Sequence, residues 1–224
     1  MRPADGPPVL LDCGATSLSA LRARGLDPGE LSAVFVSHLH ADHFGGLPFL
    51  ILDGQFSRRT RPLTVAGPPG TARRLRDALE VFFPGSAGVA RRFEVKVTEL
   101  NPGVLAEVAE VAGIQVAAVE VDHPSGAPPL ALRLTVAGRT IAYTGDTAWT
   151  PVLAPAAAGV DLLIAEAYSF DRPIPYHLSH ADLVAHQAEL TSRRTILTHP
   201  GADMLAHQAE AAFQLAHDGL TLTL

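Results

Sequence analysis

The chain contains very little cysteine and very little lysine. Among its 224 residues there is one cysteine, Cys13, and one lysine, Lys96. A single cysteine excludes an internal disulfide and gives no indication of an oxidising compartment. There is no apolar run of about eighteen residues and no basic start followed by an apolar stretch, so we expect a cytoplasmic protein that does not enter a membrane.

Basic residues are also too few for a surface that attracts nucleic acid along its whole length. The chain has 17 Lys and Arg against 23 Asp and Glu, a formal net charge of −6, which disfavours broad nucleic-acid binding but leaves a small phosphate substrate open. The arginines occur in groups that we expect to be solvated surface residues. The groups are Arg58, Arg59 and Arg61; Arg73, Arg74 and Arg76; and Arg91 and Arg92.

Short β-type runs alternate with helical patterns along the chain. The mixture predicts a single α/β domain over residues 1–224, with a four-layer arrangement of two face-to-face sheets covered by helices and some antiparallel pairing. Ala137-Gly138-Arg139 predicts a tight hairpin. The predicted strands are Val9–Leu11, Ala33–Val36, Leu63–Ala66, Phe93–Leu100, Ile114–Val121, Leu130–Val136, Thr140–Thr144, Leu162–Ala165, Thr195–Thr198 and Leu220–Leu224. The predicted helices are Leu47–Arg58, Thr71–Phe83, Ala181–Leu190 and Met204–His217.

The most informative stretch is SHLHADHFGGL, residues 37–47, which follows an apolar run. It places three histidines and an aspartate within six positions, at the carboxyl end of a predicted buried strand, where open α/β sheets bind ligands. His38 and His40 are two apart in extended backbone, so both side chains can project to one side. Asp42 and His43 then lie at the start of a helix.

These side chains have the chemistry of metal ligands. Imidazole nitrogens and a carboxylate oxygen bind zinc at about 2.0–2.2 Å, and manganese or iron accept the same ligands. Because Asp42 and His43 are adjacent, they cannot easily share one ion with both His38 and His40, so the spacing predicts two divalent ions side by side. A single histidine is usually structural, but four such groups packed together without metal would repel one another or carry a high desolvation cost.

Motifs on both sides of this cluster extend the pattern. LLDCG places Asp12 ahead of it, and VDHPSG, YTGDT and LTHPG supply His123, Asp146 and His199 after it. Together with H-x-H-x-D-H after a strand, these motifs resemble the metallo-β-lactamase superfamily from residue 9 to about residue 200. The resemblance implies the four-layer αββα fold and assigns Asp12 to the support of the histidine loop.

The resemblance also implies how the ligands divide between two ions. Seven ligands with one shared would leave each ion with four protein ligands and a bridging water. His123, Asp146 and His199 each follow a β-type run, so they can converge on one rim of the fold. The implied assignment is His38, His40 and His123 on one ion, Asp42, His43 and His199 on the other, and Asp146 between them.

Two further segments narrow the choice of reaction. LLIAEAYSF and YHLSHADL are similar to the segments that mark the ribonuclease Z branch of the superfamily and its smaller phosphodiesterase relatives. In that branch the glutamate, here Glu166, orients a histidine, here His177, which protonates the leaving oxygen. A carboxylate beside an imidazole fixes its tautomer and favours its protonated form, as a general acid requires. The alternatives are that Glu166 is a carboxylate at the end of a strand and that His177 is a loop histidine, with no catalytic role for either residue.

We therefore predict a dinuclear metal-dependent hydrolase that cleaves a small phosphodiester such as a cyclic nucleotide. Asp42 would bind metal and accept a hydrogen bond from the attacking hydroxide, while His177, held by Glu166, would act as general acid. The bacterial form of ribonuclease Z has a long arm for tRNA between the positions of His123 and Asp146, and the short segment here has no room for it. RNA, as the substrate of a tRNA 3′-processing endoribonuclease, is the alternative partner.

Two other classes remain open. A thioester or lactone hydrolase of the glyoxalase II type would keep the metal ligands and need neither Glu166 nor His177. A protein that binds metal only for stability or regulation would have the ligands without turnover.

The start of the chain departs from the family pattern. Members usually open with an extra strand and a Gly-rich loop before the strand of LLDCG, whereas here that strand begins at Val9. We expect either that the first strand is absent or that the sequence begins inside its gene. A missing strand would leave a sheet edge uncovered, which a homodimer could solve.

Overall fold

The computed structural model describes residues 1–3, 6–105 and 107–224. The chain divides into two compact units, and each has a hydrophobic core of its own. Unit 1 contains Met1–Asn101, Val111–Gly113 and Ser125–Ala127. Unit 2 contains Pro102–Glu110, Ile114–Pro124 and Pro128–Leu224.

Strands and helices alternate along most of the chain. Within the described segments, no helix is both long enough and apolar enough to span a bilayer. The strands are β1 (Val9–Leu11), β2 (Ala33–Phe35), β3 (Leu63–Gly67), β4 (Val95–Glu99), β5 (Ala109–Val111), β6 (Ile114–Glu120), β7 (Leu130–Val136), β8 (Arg139–Tyr143), β9 (Leu162–Glu166), β10 (Thr195–Thr198) and β11 (Gln214–Leu215). The α-helices are α1 (Ser17–Ala23), α2 (Ala41–Phe44), α3 (Leu47–Phe56), α4 (Thr71–Phe82), α5 (Leu153–Ala157), α6 (His180–Ala185) and α7 (Ala202–Ala206).

The sheet of unit 1 has four strands in the order β1-β2-β3-β4, and every neighbouring pair is parallel. Parallel neighbours need crossover connections, which contain α1, α3 and α4 here. Side chains such as Val34, Ile51 and Leu75 fill the core beside the sheet. At the edge strand β1, the amino group of Met1 donates to the Val9 carbonyl (2.7 Å) and the Val9 amide donates to the Met1 carbonyl (2.9 Å).

The second sheet has seven strands in the order β11-β10-β9-β8-β7-β6-β5. Strands β6, β7 and β8 pair antiparallel, whereas β8, β9, β10 and β11 pair in parallel. The predicted hairpin closes β7 and β8 through Ala137 and Gly138, whose φ angles of 49° and 74° suit a two-residue turn. The carboxyl ends of β6, β8, β9 and β10 therefore lie at the same edge of this sheet. Two sheets with helices and some antiparallel pairing confirm the predicted fold class, while the single domain stays a prediction.

The sequence prediction is wrong at the end of the chain. Leu220–Leu224 has no regular structure, and the last strand is β11, which pairs with β10. The predicted helix Met204–His217 ends at Ala206, because Leu215 packs against the core of unit 2 from strand β11 and Phe213 packs there from the bend before it. The predicted helix Ala181–Leu190 also ends early, and α1 and β5 were not predicted.

Arg59 overturns the expectation of a solvated side chain. It is buried, whereas Arg58 and Arg61 are exposed. Its guanidinium lies 5.4 Å from the centre of the Phe93 ring, and burial lowers its pKa. The guanidinium donates to the carbonyl groups of Pro28, Leu31, Arg61 and Pro62. Arg59 is therefore a structural tie between backbone segments of unit 1.

Candidate functional site

The histidine-rich loop begins where the buried strand β2 ends. His40 has extended backbone (φ −71°, ψ 153°) and is the N-cap of α2, so His38 and His40 precede the helix while Asp42 and His43 lie within it, as predicted. The His38 ring centre lies 4.8 Å from that of His40 and 4.1 Å from that of His43. The side chain of Asp42 is 63% exposed, whereas that of His43 is 5% exposed. Within unit 1 the structure brings these predicted ligands into one cluster.

Asp12, directly after β1, supports this cluster through a network of hydrogen bonds. Its carboxylate accepts from the Ser37 amide (2.7 Å), the Ser37 hydroxyl (2.8 Å) and Nδ1 of His43 (2.6 Å). Since the Ser37 hydroxyl donates to Asp12, its oxygen can accept from Nδ1 of His38, 3.1 Å away. These contacts agree with the supporting role that the resemblance implies for Asp12.

Two glycines allow the loop after β1 to pack against the histidine-rich loop. A Cβ atom on Gly14 would lie 2.0 Å from the carbonyl oxygen of Asp42, and one on Gly46 would lie 2.1 Å from the carbonyl oxygen of Gly14. The Gly46 amide donates to the Cys13 carbonyl (2.8 Å), and the Cys13 amide donates to the His43 carbonyl (2.6 Å). The positions of both loops are thus set by direct backbone contact.

In unit 2, the predicted residues follow strands whose carboxyl ends share one edge of the sheet. Asp146 follows β8, Glu166 ends β9 and His199 follows β10. With His177, these residues offer one ligand atom each within 4.8 Å of one another. His123 follows β6, and its ring centre lies 5.0 Å from that of His177. This edge therefore collects every predicted site residue of unit 2.

Glu166 and His177 form the predicted pair. Oε2 of Glu166 accepts from Nδ1 of His177 at 2.9 Å, and Oε1 accepts from the Thr147 amide. The Glu166 side chain is completely buried, whereas that of His177 is 19% exposed. Burial raises the pKa of Glu166, while the hydrogen bond from His177 opposes the rise and the charge of Asp146 adds to it.

Asp146 and His199 lie next to this pair. Nε2 of His199 is 3.6 Å from Oδ2 of Asp146, and Nδ1 of His199 is 3.8 Å from Oε2 of Glu166. The rings of His177 and His199 are nearly parallel, at 5° and 5.9 Å between centres. The carboxylates of this edge are thus interleaved with imidazoles.

Unusual backbone conformations accompany the site residues. Asp12, Tyr176 and His199 have φ angles of 57°, 64° and 56°, in the left-handed region that non-glycine residues rarely occupy. The Tyr176 carbonyl accepts from Nδ1 of His123 (3.0 Å). Functional sites often contain such conformations, because side chains there must be aimed against local backbone preference, and three further residues outside the site, Arg58, Ala112 and Ala137, share them.

Sequence reasoning missed Tyr168. Its ring centre lies 4.9 Å from that of His177 and 5.9 Å from that of His199. The Tyr168 amide donates to the Leu178 carbonyl (2.9 Å), and its carbonyl accepts from the Gly201 amide (2.8 Å). Tyr168 therefore packs beside both histidines. Its place within LLIAEAYSF, two residues after Glu166, was the available signal.

The donor sets fit divalent metal ions. Imidazole and carboxylate are ligands of zinc, manganese and iron. Nδ1 of His43 contacts the Asp12 carboxylate, Nδ1 of His38 contacts the Ser37 hydroxyl, and Nδ1 of His123 contacts the Tyr176 carbonyl. Such contacts orient metal-binding histidines and direct Nε2 to the ion.

Comparison with known proteins finds related sequences and folds. A family model described as a beta-lactamase superfamily domain matches residues 8–200. A protein named ribonuclease Z from Methanosarcina acetivorans is 28% identical, and the match covers 87% of this chain and 78% of that one.

Two solved structures have similar folds. A metallo-β-lactamase fold protein from Bacillus subtilis has a TM-score of 0.72 at 20% identity, with 96% of this chain and 87% of that chain covered. Human tRNase Z, short form, has a TM-score of 0.78 at 23% identity, with 100% of this chain and 90% of that chain covered. These likenesses confirm the metallo-β-lactamase fold.

Proposed function

Because the chain belongs to the beta-lactamase superfamily and is a hydrolase of that family, we propose that it cleaves phosphodiester bonds in a small substrate such as a cyclic nucleotide. The observation that carries the proposal is the pair formed by the buried Glu166 and the partly exposed His177. A phosphodiester has a poor leaving group, an alkoxide, and such a pair can protonate it. A relative named ribonuclease Z supports chemistry at a phosphodiester.

The proposed metal ligands are the residues expected from the sequence. Two divalent ions, zinc first and manganese or iron as alternatives, would supply Lewis acidity and lower the pKa of a bound water. The ligands would be His38, His40 and His123 for one ion, Asp42, His43 and His199 for the other, and Asp146 for both.

The proposed proton transfer uses atoms whose positions are defined in unit 2. Oε2 of Glu166 accepts a hydrogen bond from Nδ1 of His177, which fixes the ring and leaves Nε2 to hold the transferable proton. The negative charge of Glu166 stabilises the imidazolium form. His177 then donates the Nε2 proton to the departing oxygen, while Asp42 accepts a hydrogen bond from the attacking water.

The length of the segment between His123 and Asp146 supports a small substrate. Residues 124–145 contain β7, the two-residue turn and β8, so the sheet uses most of the segment. The formal net charge of −6 also disfavours a long polyanion. The name of the relative with 28% identity favours tRNA 3′ processing, which we keep as the second candidate.

A panel of substrates tests the proposal. The metal-loaded protein is assayed with cyclic AMP, bis(p-nitrophenyl) phosphate, a tRNA precursor and a thioester, each with and without a chelator. We expect chelator-sensitive cleavage of cyclic AMP. His177→Ala should reduce kcat for cyclic AMP about 10²–10⁴-fold, but reduce it much less for bis(p-nitrophenyl) phosphate, because nitrophenolate leaves without a proton.

His186→Ala is the matched control, because His186 pairs with Glu189 and stacks on Trp149, outside the proposed site. Cleavage of only the tRNA precursor would establish the second candidate. Thioester cleavage that His177→Ala leaves unchanged would favour the glyoxalase II type. Two bound metal ions without turnover of any substrate would favour a structural or regulatory metal protein. The cytoplasmic location and a homodimer stay predictions.

A further inference from the structure

Unit 1 contains a cleft that involves none of the residues assigned above. It lies between α4, β4 and the 3-10 turn Ser86–Gly88, with a volume of about 370 Å³. Its lining is apolar, with Leu75, Leu79 and Val89 among its side chains, except for two arginines, Arg76 and Arg91. We call it the arginine cleft.

The sequence builds this cleft from two regular patterns. Leu75 and Leu79 are four residues apart on α4, so they lie on one face of the helix, and both are buried. Val95 and Val97 alternate along β4 and line the same cleft. Because β4 is an edge strand, no further strand of this sheet lies beyond it in the described part of the chain. A concave surface lined mainly by apolar residues and by two arginines remains between helix and strand.

Neither arginine of the cleft forms an ion pair with a carboxylate of the described residues. Arg91 donates to the carbonyl groups of Ser86 (2.5 Å) and Val89 (3.3 Å), and its buried Nε atom has no hydrogen-bond partner among the described residues. Burial lowers the pKa of Arg91. A partly buried positive charge is costly unless an anion compensates it. Arg91 is therefore a partly buried positive charge that no carboxylate of the described residues compensates, and the exposed Arg76 adds a second guanidinium group to the same cleft.

We propose that the arginine cleft binds a small amphipathic carboxylate. Its aliphatic tail packs against Leu75, Leu79 and Val89, and its carboxylate accepts charge-assisted hydrogen bonds from Arg76 and Arg91. A volume of about 370 Å³ lies within the range of about 300–1,000 Å³ typical of small-ligand sites, which are mostly apolar with a few placed polar groups. The combination of apolar walls with two cations selects against neutral lipids and against fully polar anions.

Methyl-resolved NMR of the metal-loaded protein titrated with sodium decanoate tests this site. We expect saturable shifts concentrated at the methyl groups of Leu75, Leu79 and Val89. Arg76→Gln and Arg91→Gln should each weaken decanoate binding about tenfold or more, because each removes a hydrogen bond to a charged group. Decan-1-ol, which has the same tail without the charge, should also bind at least about tenfold more weakly.

Arg73→Gln is the matched control, because Arg73 is exposed on α4 and does not line the cleft. If Arg91→Gln does not fold, Arg76→Gln still tests the proposal, since Arg76 is exposed and its side chain forms no hydrogen bond or ion pair with the described residues. Equal binding of decan-1-ol, equal affinity of the Arg76→Gln variant, or shifts located elsewhere would overturn the proposal. Shifts of the cleft methyl groups that depend on protein concentration alone would assign the cleft to a second copy of the chain instead.

Discussion

At the scale of single residues, Asp12 shows how one carboxylate can organise a site without joining it. It accepts from both donors of Ser37 and from Nδ1 of His43, and it does so in a left-handed backbone conformation. Aspartate and asparagine tolerate that conformation better than other residues do. Asp12→Asn therefore keeps the backbone and tests the carboxylate alone.

We predict that Asp12→Asn weakens metal binding about 10–100-fold, because supporting partners of histidine ligands have effects of this size. The amide nitrogen of asparagine cannot accept the hydrogen bond from His43. Competition of the loaded protein against a chromophoric chelator measures the change. Asp77→Asn, an exposed carboxylate on α4, is the control. Equal metal affinity in the two variants would mean that Asp12 does not orient His43.

At the scale of elements, the loop after β1 and the segment around α2 are held by backbone contacts that only glycine permits. We predict that Gly46→Ala lowers the free energy of unfolding by about 2–3 kcal/mol or more, since the new Cβ would meet two backbone carbonyl oxygens. Urea denaturation of the parent protein and of the Gly46→Ala variant measures this change in the free energy of unfolding.

Gly88→Ala is the matched control, because a Cβ at Gly88 meets no atom within 4 Å. If Gly46→Ala lowered the free energy of unfolding by less than about 0.5 kcal/mol, as is usual for surface positions, the loop after β1 and the segment around α2 could separate without cost.

Another element-scale prediction concerns His180 at the start of α6. Its ring stacks on Phe170 at 4.7 Å, and its Nε2 accepts from the Ala212 amide (2.9 Å), so the folded chain holds the neutral ring. Burial lowers the pKa of His180 from its ordinary value of 6.5. Above pH 6.5 the stabilisation is fully present. Below pH 6.5 the unfolded chain takes up the proton first, so stability falls towards the folded pKa.

His180→Gln removes this titration. We expect the difference in free energy of unfolding between parent and variant to shrink as the pH falls from 8 to 5, a range that spans the ordinary pKa of about 6.5. His207, whose pKa is raised chiefly by the Asp203 carbonyl, contributes with the opposite sign in both proteins and cancels in the difference. An unchanged difference across this range would contradict the prediction.

At the scale of the whole molecule, removal of metal should affect stability as well as activity. Ligands that bind only the folded state stabilise it by mass action. We predict that a chelator lowers the Tm of the loaded protein and abolishes turnover, and that two equivalents of Zn²⁺ restore both. Calorimetry with metal analysis measures the effect. An unchanged Tm after complete metal loss would show that the proposed ligands are held in place by the protein alone.

Much of this architecture follows from local sequence. The histidine-rich loop, the hairpin at Ala137 and the strand before Glu166 were predictable because alternation, turn residues and ligand spacing are local signals. Arg59 was not, because its burial depends on carbonyl groups that lie up to 31 residues away. The end of the chain was mispredicted because an alanine-rich run favours a helix, whereas Phe213 and Leu215 pack against the core of unit 2 from a bend and a short strand.

The single lysine has a practical consequence. Lys96 is exposed on β4, between two valines that line the arginine cleft. The other primary amine, at Met1, donates to the Val9 carbonyl. An amine-reactive fluorophore therefore has one exposed attachment point among the side chains, and a dye there would label edge strand β4 on the face opposite the arginine cleft, without any engineered cysteine.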